Sequence, residues 1–251
     1  MNALTDGCAI VTGAGSGLGR ALALALSRHM QVAGLGRRID ALEETESLAA
    51  GNFVPLQADV SDTAQVTQAF DIARNIAPIT VLINNAAIYP RTDFLDETAT
   101  SFMGTVGINL GGLVTCTRAG LADMTATGFG RILNVSTFAD LHPLPASSAY
   151  AVSKGAGRIF TRALIADIGD RFPGIVINDW MPGMLATGMG IADGLDPAIA
   201  AEWGTKLALW HDRSLTGTTW EMGTEIPPAR SLKRRLADRV LMRPRAVPRQ
   251  L

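Results

Sequence analysis

Apolar residues along the chain collect in short runs, separated by longer stretches with helical spacing. The runs occupy 7–11 (GCAIV), 31–35 (QVAGL), 52–56 (NFVPL), 79–83 (ITVLI), 130–135 (GRILNV) and 174–179 (GIVIND). Between them, apolar positions recur at helix periodicity near 18–29, 40–50, 62–76, 99–127 and 149–171. Strands that alternate with helices predict βαβ units and a parallel sheet covered on both faces. Right-handed crossovers then give an α/β, doubly wound, Rossmann-type single domain of about seven strands. Ligands of such sheets bind at the carboxyl ends of the strands, so the residues after each run carry the information.

After the first run comes TGAGSGLGR, Thr12 to Arg20, then a helical stretch. Gly13, Gly15, Gly17 and Gly19 alternate through the turn, with Ser16 and Leu18 between them. Glycine lets the backbone turn sharply and brings N–H groups close to an anion, while the helix offers its positive end to a pyrophosphate. The spacing is G-x-x-x-G-x-G rather than G-x-G-x-x-G. By itself a glycine-rich turn is compatible with a tight strand–helix link; between a clear strand and a clear helix it predicts dinucleotide binding.

The second run ends Leu35-Gly36-Arg37-Arg38, without the acid that would accept from a ribose 2′-OH. Two guanidinium groups there suit a 2′-phosphate, so the expected cofactor is NADP(H) rather than NAD(H), with Arg37 on the phosphate and Arg38 assisting. Asp40 is the competing acid, but with Glu43 three residues on it reads as a helix cap.

Tyr150 and Lys154 stand at i, i+4 in a helical stretch and so share a face. A tyrosine ordinarily titrates near ~10, and a neighbouring ammonium lowers that value toward neutrality. Such a pair suits proton exchange with a carbonyl or alcohol oxygen during hydride transfer. Two hydroxyls precede it, Ser136 and Thr137. Alternation along a strand sends neighbouring side chains to opposite faces, which makes Ser136 the structural residue and Thr137 the chemical one.

These segments occur together with Asn84-Asn85-Ala86-Ala87, Asn109 and Pro182-Gly183…Thr187, and the set resembles the short-chain dehydrogenase/reductase family over roughly residues 5 to 220. The resemblance implies Tyr150 as general acid/base, Lys154 as the residue that holds the nicotinamide ribose, and Asn109 as holder of a relay water. It implies Thr137 in the place of the family's serine, thirteen residues before the tyrosine. Asp59 and Val60 take the adenine contacts, Asn85, Ala86 and Ala87 line the cofactor, and Pro182, Gly183 and Thr187 hold the carboxamide. An arginine at the position of Arg37 accompanies NADP preference in the family. Two departures stand out: NNAA replaces the usual NNAG, and the chain continues for 28 residues beyond the strand-like 215–223 (LTGTTWEMG). The resemblance also implies a homotetramer or homodimer built on the long helices.

The variable stretch 188–214 is expected to form a lid over a small-molecule ketone, aldehyde or alcohol. Met184, Leu185, Met189, Ile191 and Trp203, with Phe138, Leu141 and His142, are the candidate substrate contacts, so the substrate is expected to be moderately apolar. The rival reading, from another class, is a catalytically idle dinucleotide-binding sensor or scaffold; retention of both Tyr150 and Lys154 argues against it.

Composition adds bounds. The chain has 251 residues, 47% apolar, and a net charge of −1, enough for a large core. No apolar run is long enough to span a membrane and no secretory leader is evident. Cys8 and Cys116 read as buried reduced thiols, which points to the cytoplasm. His29, His142 and His211 are scattered, so no metal site is expected. The charge is uneven: from Arg230 onward there are eight Lys/Arg and one Asp. Residues 230–251 therefore form a basic extension to a catalytic domain over 1–229, and Leu232, Leu236 and Val240 predict an amphipathic helix within it. Subunit packing is the favoured role, ahead of nucleic-acid or membrane binding.

Overall fold

The computed structural model describes residues 3–49, 51–227 and 247–251. One sheet of eight strands organises the chain, in the order β3-β2-β1-β4-β5-β6-β7-β8. β1 (Cys8–Thr12), β2 (Gln31–Gly36), β3 (Phe53–Gln57), β4 (Ile79–Asn84), β5 (Gly130–Val135) and β6 (Ile175–Met181) follow the six apolar runs within a few residues. β7 (Thr219–Glu221) continues the parallel set, and β8 (Thr224–Ile226) turns back antiparallel to it. The eighth strand exceeds the expected seven. LTGTTWEMG lacks an Asn-Gly signal, yet Met222 takes φ 48° beside Gly223 and closes a two-residue hairpin.

β1 is buried on both sides, as a parallel strand between helical layers must be. Its alternate residues feed two cores. Ala9 and Val11 join α1 (Gly17–Leu26), α2 (Ile39–Leu48) and α7 (Pro197–Leu209) around Leu22, Leu26, Leu42, Leu207, Trp180 and Trp220. Cys8 and Ile10 join α3 (Thr63–Arg74), α5 (Gly112–Thr127) and α6 (Ser148–Ile168) around Phe70, Leu82, Cys116 and Ile177. Asp62 starts α3 by accepting from the N–H groups of Ala64 and Gln65. The expected helix 99–127 is divided: α4 (Ala99–Val106) and α5 are joined by a π-helical turn, Gly107–Gly111.

The stretch expected to form a lid, 188–214, contains a packed helix, while Gly188, Met189, Gly190 and Ile191 before it line a cavity. Residues 197–209 form α7, whose Gly204 lies so close to Leu22 and Trp180 that a Cβ would fall 2.7 and 2.8 Å from them. Residues 247–251, the described end of the basic extension, contact the chain's own sheet. Leu251 N–H donates to the Gly223 carbonyl, Gln250 bridges to Thr224, and Arg249 pairs with Glu225 at 2.6 Å. The amphipathic helix expected around Leu232, Leu236 and Val240 lies outside the described residues. Among the described residues no helix is long and apolar enough to cross a membrane, and no cluster of potential metal ligands occurs.

Candidate active site

β1 pairs with β2 on one side and β4 on the other, so the chain reverses direction across the sheet at this point. The reversal leaves a crevice at the strands' carboxyl ends, where a cavity of ≈ 970 Å³ opens.

At its β1 end the floor is the glycine loop. Gly13 has φ 72°, a conformation that L side chains rarely adopt, and Gly19 lies so near the loop that a Cβ would fall 2.0 Å from the Gly13 carbonyl oxygen. Ser16 is the N-cap of α1 but makes no side-chain cap bond, which leaves the first-turn N–H groups without a side-chain acceptor. Gly13, Gly15, Ser16, Gly17, Leu18 and Gly19 all line the cavity. Thr12 fastens this loop to the segment after β4: its Oγ1 accepts from the N–H groups of Asn85 and Ala86, each at 2.9 Å, and the Asn85 amide donates to the Thr12 carbonyl at 2.9 Å. Asn85, Ala86 and Ala87 line the cavity beside it.

Arg37 and Arg38 line the wall beyond β2, and among the described residues neither forms an ion pair. Asp40 lies outside the lining. Nor is it a cap: α2 starts at Ile39 with Arg38 as N-cap and no side-chain cap bond, which puts Asp40 in the first turn, where its charge suits the helix's positive end. Asp59 and Val60 close this end, with Asp59 Oδ1 accepting from the N–H and Oγ of Ser61 at 2.9 and 2.7 Å. Gly36, Ala41 and Ala58 complete the wall. Glycine floor, open helix terminus and unpaired arginines fit a phosphorylated dinucleotide in charge and shape.

Farther along, α6 presents Tyr150 and Lys154. Lys154 is buried, and its Nζ donates to the Val135 carbonyl at 2.9 Å. Burial lowers its pKa to about 8, against the Asp179 carboxylate, which raises it. Burial pushes Tyr150 up to about 12; a hydrogen bond with the Thr137 side chain opposes this, and Tyr89 adds to it. The expectation that Lys154 pulls Tyr150 toward neutrality is therefore reversed in the folded chain, because desolvation of the phenolate dominates.

Both Ser136 and Thr137 line the cavity. β5 ends at Val135, so strand alternation does not separate them as expected. Ser136 Oγ is buried and has no hydrogen-bond partner, whereas Thr137 interacts with Tyr150 and accepts from the Ala139 N–H at 3.3 Å. Asn109 sits in the π-helical turn, an irregularity frequent at functional sites. Its amide donates to the Ile88 carbonyl at 2.9 Å and to Ser153 Oγ at 3.0 Å, and its Oδ1 accepts from Ile88 N–H at 2.7 Å. It borders the large cavity's neighbour, a pocket of ≈ 10 Å³ shared with Thr12, Asn84 and Lys154.

Met184, Leu185, Met189 and Ile191, the expected substrate contacts, line the same cavity, as do Pro182, Gly183 and Thr187, expected at the carboxamide. Phe138, Leu141, His142 and Trp203 are absent from the lining. The loop after β5 is pinned to α6 by Arg158, whose Nη1 donates to both Asp140 carboxylate oxygens at 2.8 and 3.0 Å, and the turn it makes presents Ala139 and Leu144 instead. Trp203 lies on α7, against Gly223. Sequence reading passed over Tyr89, whose ring stacks on Tyr150 with centroids 4.3 Å apart, and Arg91, whose guanidinium carbon is 5.4 Å from the Tyr89 centroid. The available signal was that the chain has two tyrosines, one of them just after the Asn85–Ala87 segment.

The family described as short chain dehydrogenase matches residues 7–196. The chain is 32% identical over 207 residues to galactitol 2-dehydrogenase (L-tagatose-forming) of Cereibacter sphaeroides, covering 80% of each. It is 30% identical to 3-oxoacyl-[acyl-carrier-protein] reductase of Synechocystis sp., covering 75% of this chain and 78% of the relative. A solved short chain dehydrogenase/reductase family protein superposes with a TM-score of 0.79 at 27% identity, over 87% of this chain and 96% of that one. Crevice, glycine floor, Tyr150–Lys154 helix and these likenesses converge: the chain belongs to the short chain dehydrogenase family and is an oxidoreductase of alcohol and ketone groups.

Proposed function

We propose that the protein interconverts a ketone or aldehyde and its alcohol with NADP(H), and that Tyr150 is the general acid/base. The observation that carries this reading is that Arg37 and Arg38, the glycine loop, and the set Thr137, Tyr150 and Lys154 all line one cavity. Members of the family bind nicotinamide dinucleotides; when bound, such a cofactor exchanges hydride with the substrate carbon. The loop residues 13–19 and the α1 terminus hold its pyrophosphate, and Arg37, helped by Arg38, takes the 2′-phosphate. Asp59, Val60, Asn85, Ala86, Ala87, Pro182, Gly183 and Thr187 bound the remainder.

Tyr150, held near 12, is protonated at neutral pH and donates to a carbonyl oxygen, which suits the reductive direction. Thr137 donates to the same oxygen. Lys154, with a pKa of about 8, restores the proton, and the small pocket between it and Asn109 is on the order of one water in size. The apolar lining formed by Ile88, Leu144, Met184, Leu185, Met189 and Ile191 favours a substrate with an apolar body. Exposed Met103, Val114, Val152 and Ile159 on α4, α5 and α6 support a homodimer or homotetramer, and free, buried Cys8 and Cys116 agree with a cytoplasmic setting. The catalytic domain spans 1–229, with 230–251 as its extension.

Tyr150→Phe is expected to lower NADPH oxidation with a ketone panel by on the order of a thousandfold or more, with NADPH affinity retained. Unchanged turnover would remove Tyr150 from the chemistry, whereas a parent protein that binds NADPH and turns over none of the panel would favour the idle sensor. In the same titrations, tighter binding of NADH than of NADPH would overturn the role of Arg37.

A further inference from the structure

Arg91 lies in the segment between β4 and α4, at the substrate end of the cavity. Its Nη2 donates to the Gly190 carbonyl at 3.0 Å, with the Met189 carbonyl at 3.5 Å. Its guanidinium carbon lies 5.4 Å from the centre of the Tyr89 ring, and that ring stacks on Tyr150. The three side chains thus form a file: guanidinium, aromatic ring, acid/base. Among the described residues, no carboxylate comes within ion-pair distance of Arg91, and its Nε and Nη1 make no hydrogen bond.

The rest of the cavity's charge is placed elsewhere. Asp59, Arg37 and Arg38 belong to the far end, and the Asp59 carboxylate is held by Ser61. Lys154 is buried behind Tyr150 with its ammonium on Val135. No carboxylate lines this end, where Ile88, Leu144, Met184, Leu185, Met189 and Ile191 supply apolar wall. Arg91 is exposed at the rim of the cavity, and an arginine that borders a largely apolar cavity without an acidic partner is a ready partner for an anionic oxygen group, because its planar fork can donate two parallel hydrogen bonds. The strap to the 189–190 carbonyls uses one nitrogen of the fork and leaves the others to donate.

The geometry points to Arg91 as a substrate-anchoring residue, and so to a substrate with a ketone or secondary alcohol on Tyr150, a short apolar body, and a terminal anionic oxygen group such as a carboxylate on Arg91. Tyr89 fills the interval between the two ends and fixes their separation. This assignment rests on the reading of the cavity as a carbonyl–alcohol site, and it adds the charge class of the substrate.

The test compares 4-oxopentanoate with its methyl ester, two probes of the same ketone that differ in the terminal charge. With NADPH, the parent protein is expected to show a higher kcat/KM for the acid than for the ester. Arg91→Met, which keeps the bulk and removes the charge, is expected to lower the acid-to-ester ratio about tenfold or more. Arg91→Lys is expected to restore part of it, since a point charge replaces the fork. Rising salt should erode the acid's advantage and leave the ester's rate level. Calorimetric titration of the NADPH-loaded protein with both probes supplies a readout independent of turnover. Acid binding that exceeds ester binding and collapses in Arg91→Met supports the anchor even if neither probe is reduced; that outcome would instead count against the reductase reading. An acid-to-ester ratio unaltered by Arg91→Met, or titrations in which the acid binds no better than the ester or not at all, overturns the anchor and leaves the reductase reading to the Tyr150→Phe experiment.

Discussion

Two cations lie buried at opposite ends of β5. Arg131, at the strand's start, is fully buried, and its guanidinium donates to the carbonyls of Ile132, Val176 and Leu207 at 2.8, 3.3 and 3.0 Å. Leu207 is in the last turn of α7, whose carbonyl end carries partial negative charge. Lys154, at the strand's finish, has one carbonyl, that of Val135, and otherwise faces the cavity. Burial depresses the pKa of both groups. What separates them is the number of carbonyls committed to each. Several fixed acceptors make Arg131 a clamp between sheet and α7, and a single acceptor leaves Lys154 able to exchange protons.

The largest expected effect sharpens that division. Lys154→Met should cut turnover by on the order of a hundredfold or more while the fold persists, as shown by circular dichroism and a cooperative denaturant transition. Loss of folding instead of turnover would make Lys154 a second clamp. Next, Arg131→Ala should destabilise the protein by about 3 kcal/mol in denaturant titrations, because the carbonyls it satisfies are left in a dry interior. The folded fraction should turn over normally; a selective loss of kcat would break the comparison.

The two ends should also differ in pH behaviour. A lysine whose folded pKa is near 8, against about 10.5 unfolded, destabilises the native state below pH 8, and that penalty fades as pH rises to about 10.5. Lys154→Met should therefore be more stable than the parent at pH 7, by up to about 3 kcal/mol, with the gap closing between pH 8 and 10.5. A constant gap across that window would show that the fold does not depress the Lys154 pKa.

The smallest effect concerns Asp179. Its buried carboxyl, pushed up to about 6 by burial, accepts from Thr161 at 2.7 Å and holds the Lys154 pKa up. Asp179→Asn should keep the Thr161 bond and shift the alkaline limb of the pH–rate profile downward. A profile that does not move would free Lys154 from Asp179's influence.

Much of the framework was legible in the sequence because β1, β4, β5 and β6 come from short runs buried on both faces, the pattern of central parallel strands. The glycine loop was legible for the same kind of local reason, since Gly13 and Gly19 answer to backbone sterics within one turn. The α7 helix escaped notice. Its stretch is small-residue and weakly patterned, and what fixes it is the fit of Gly204 against Leu22 and Trp180. Phe138 and His142 were misplaced because the Asp140–Arg158 pair, eighteen residues apart, sets the turn of that loop. Tyr89 and Arg91 were missed because the stack on Tyr150 joins residues about sixty apart, and the position of Tyr89 just after the Asn85–Ala87 segment was the one local hint.

The sequence by itself determined the order of strands and helices, the dinucleotide-type loop and the pairing of Tyr150 with Lys154 on one helix face, all of which depend on neighbours within about one or two turns of chain. Only the tertiary structure decided the protonation of that pair and the company it keeps. Desolvation, which holds Tyr150 protonated and weakens the Lys154 ammonium, exists only once the sheet and its helices have closed over them. The same closure brings Arg91 and Tyr89 to the site from a loop about sixty residues away in sequence.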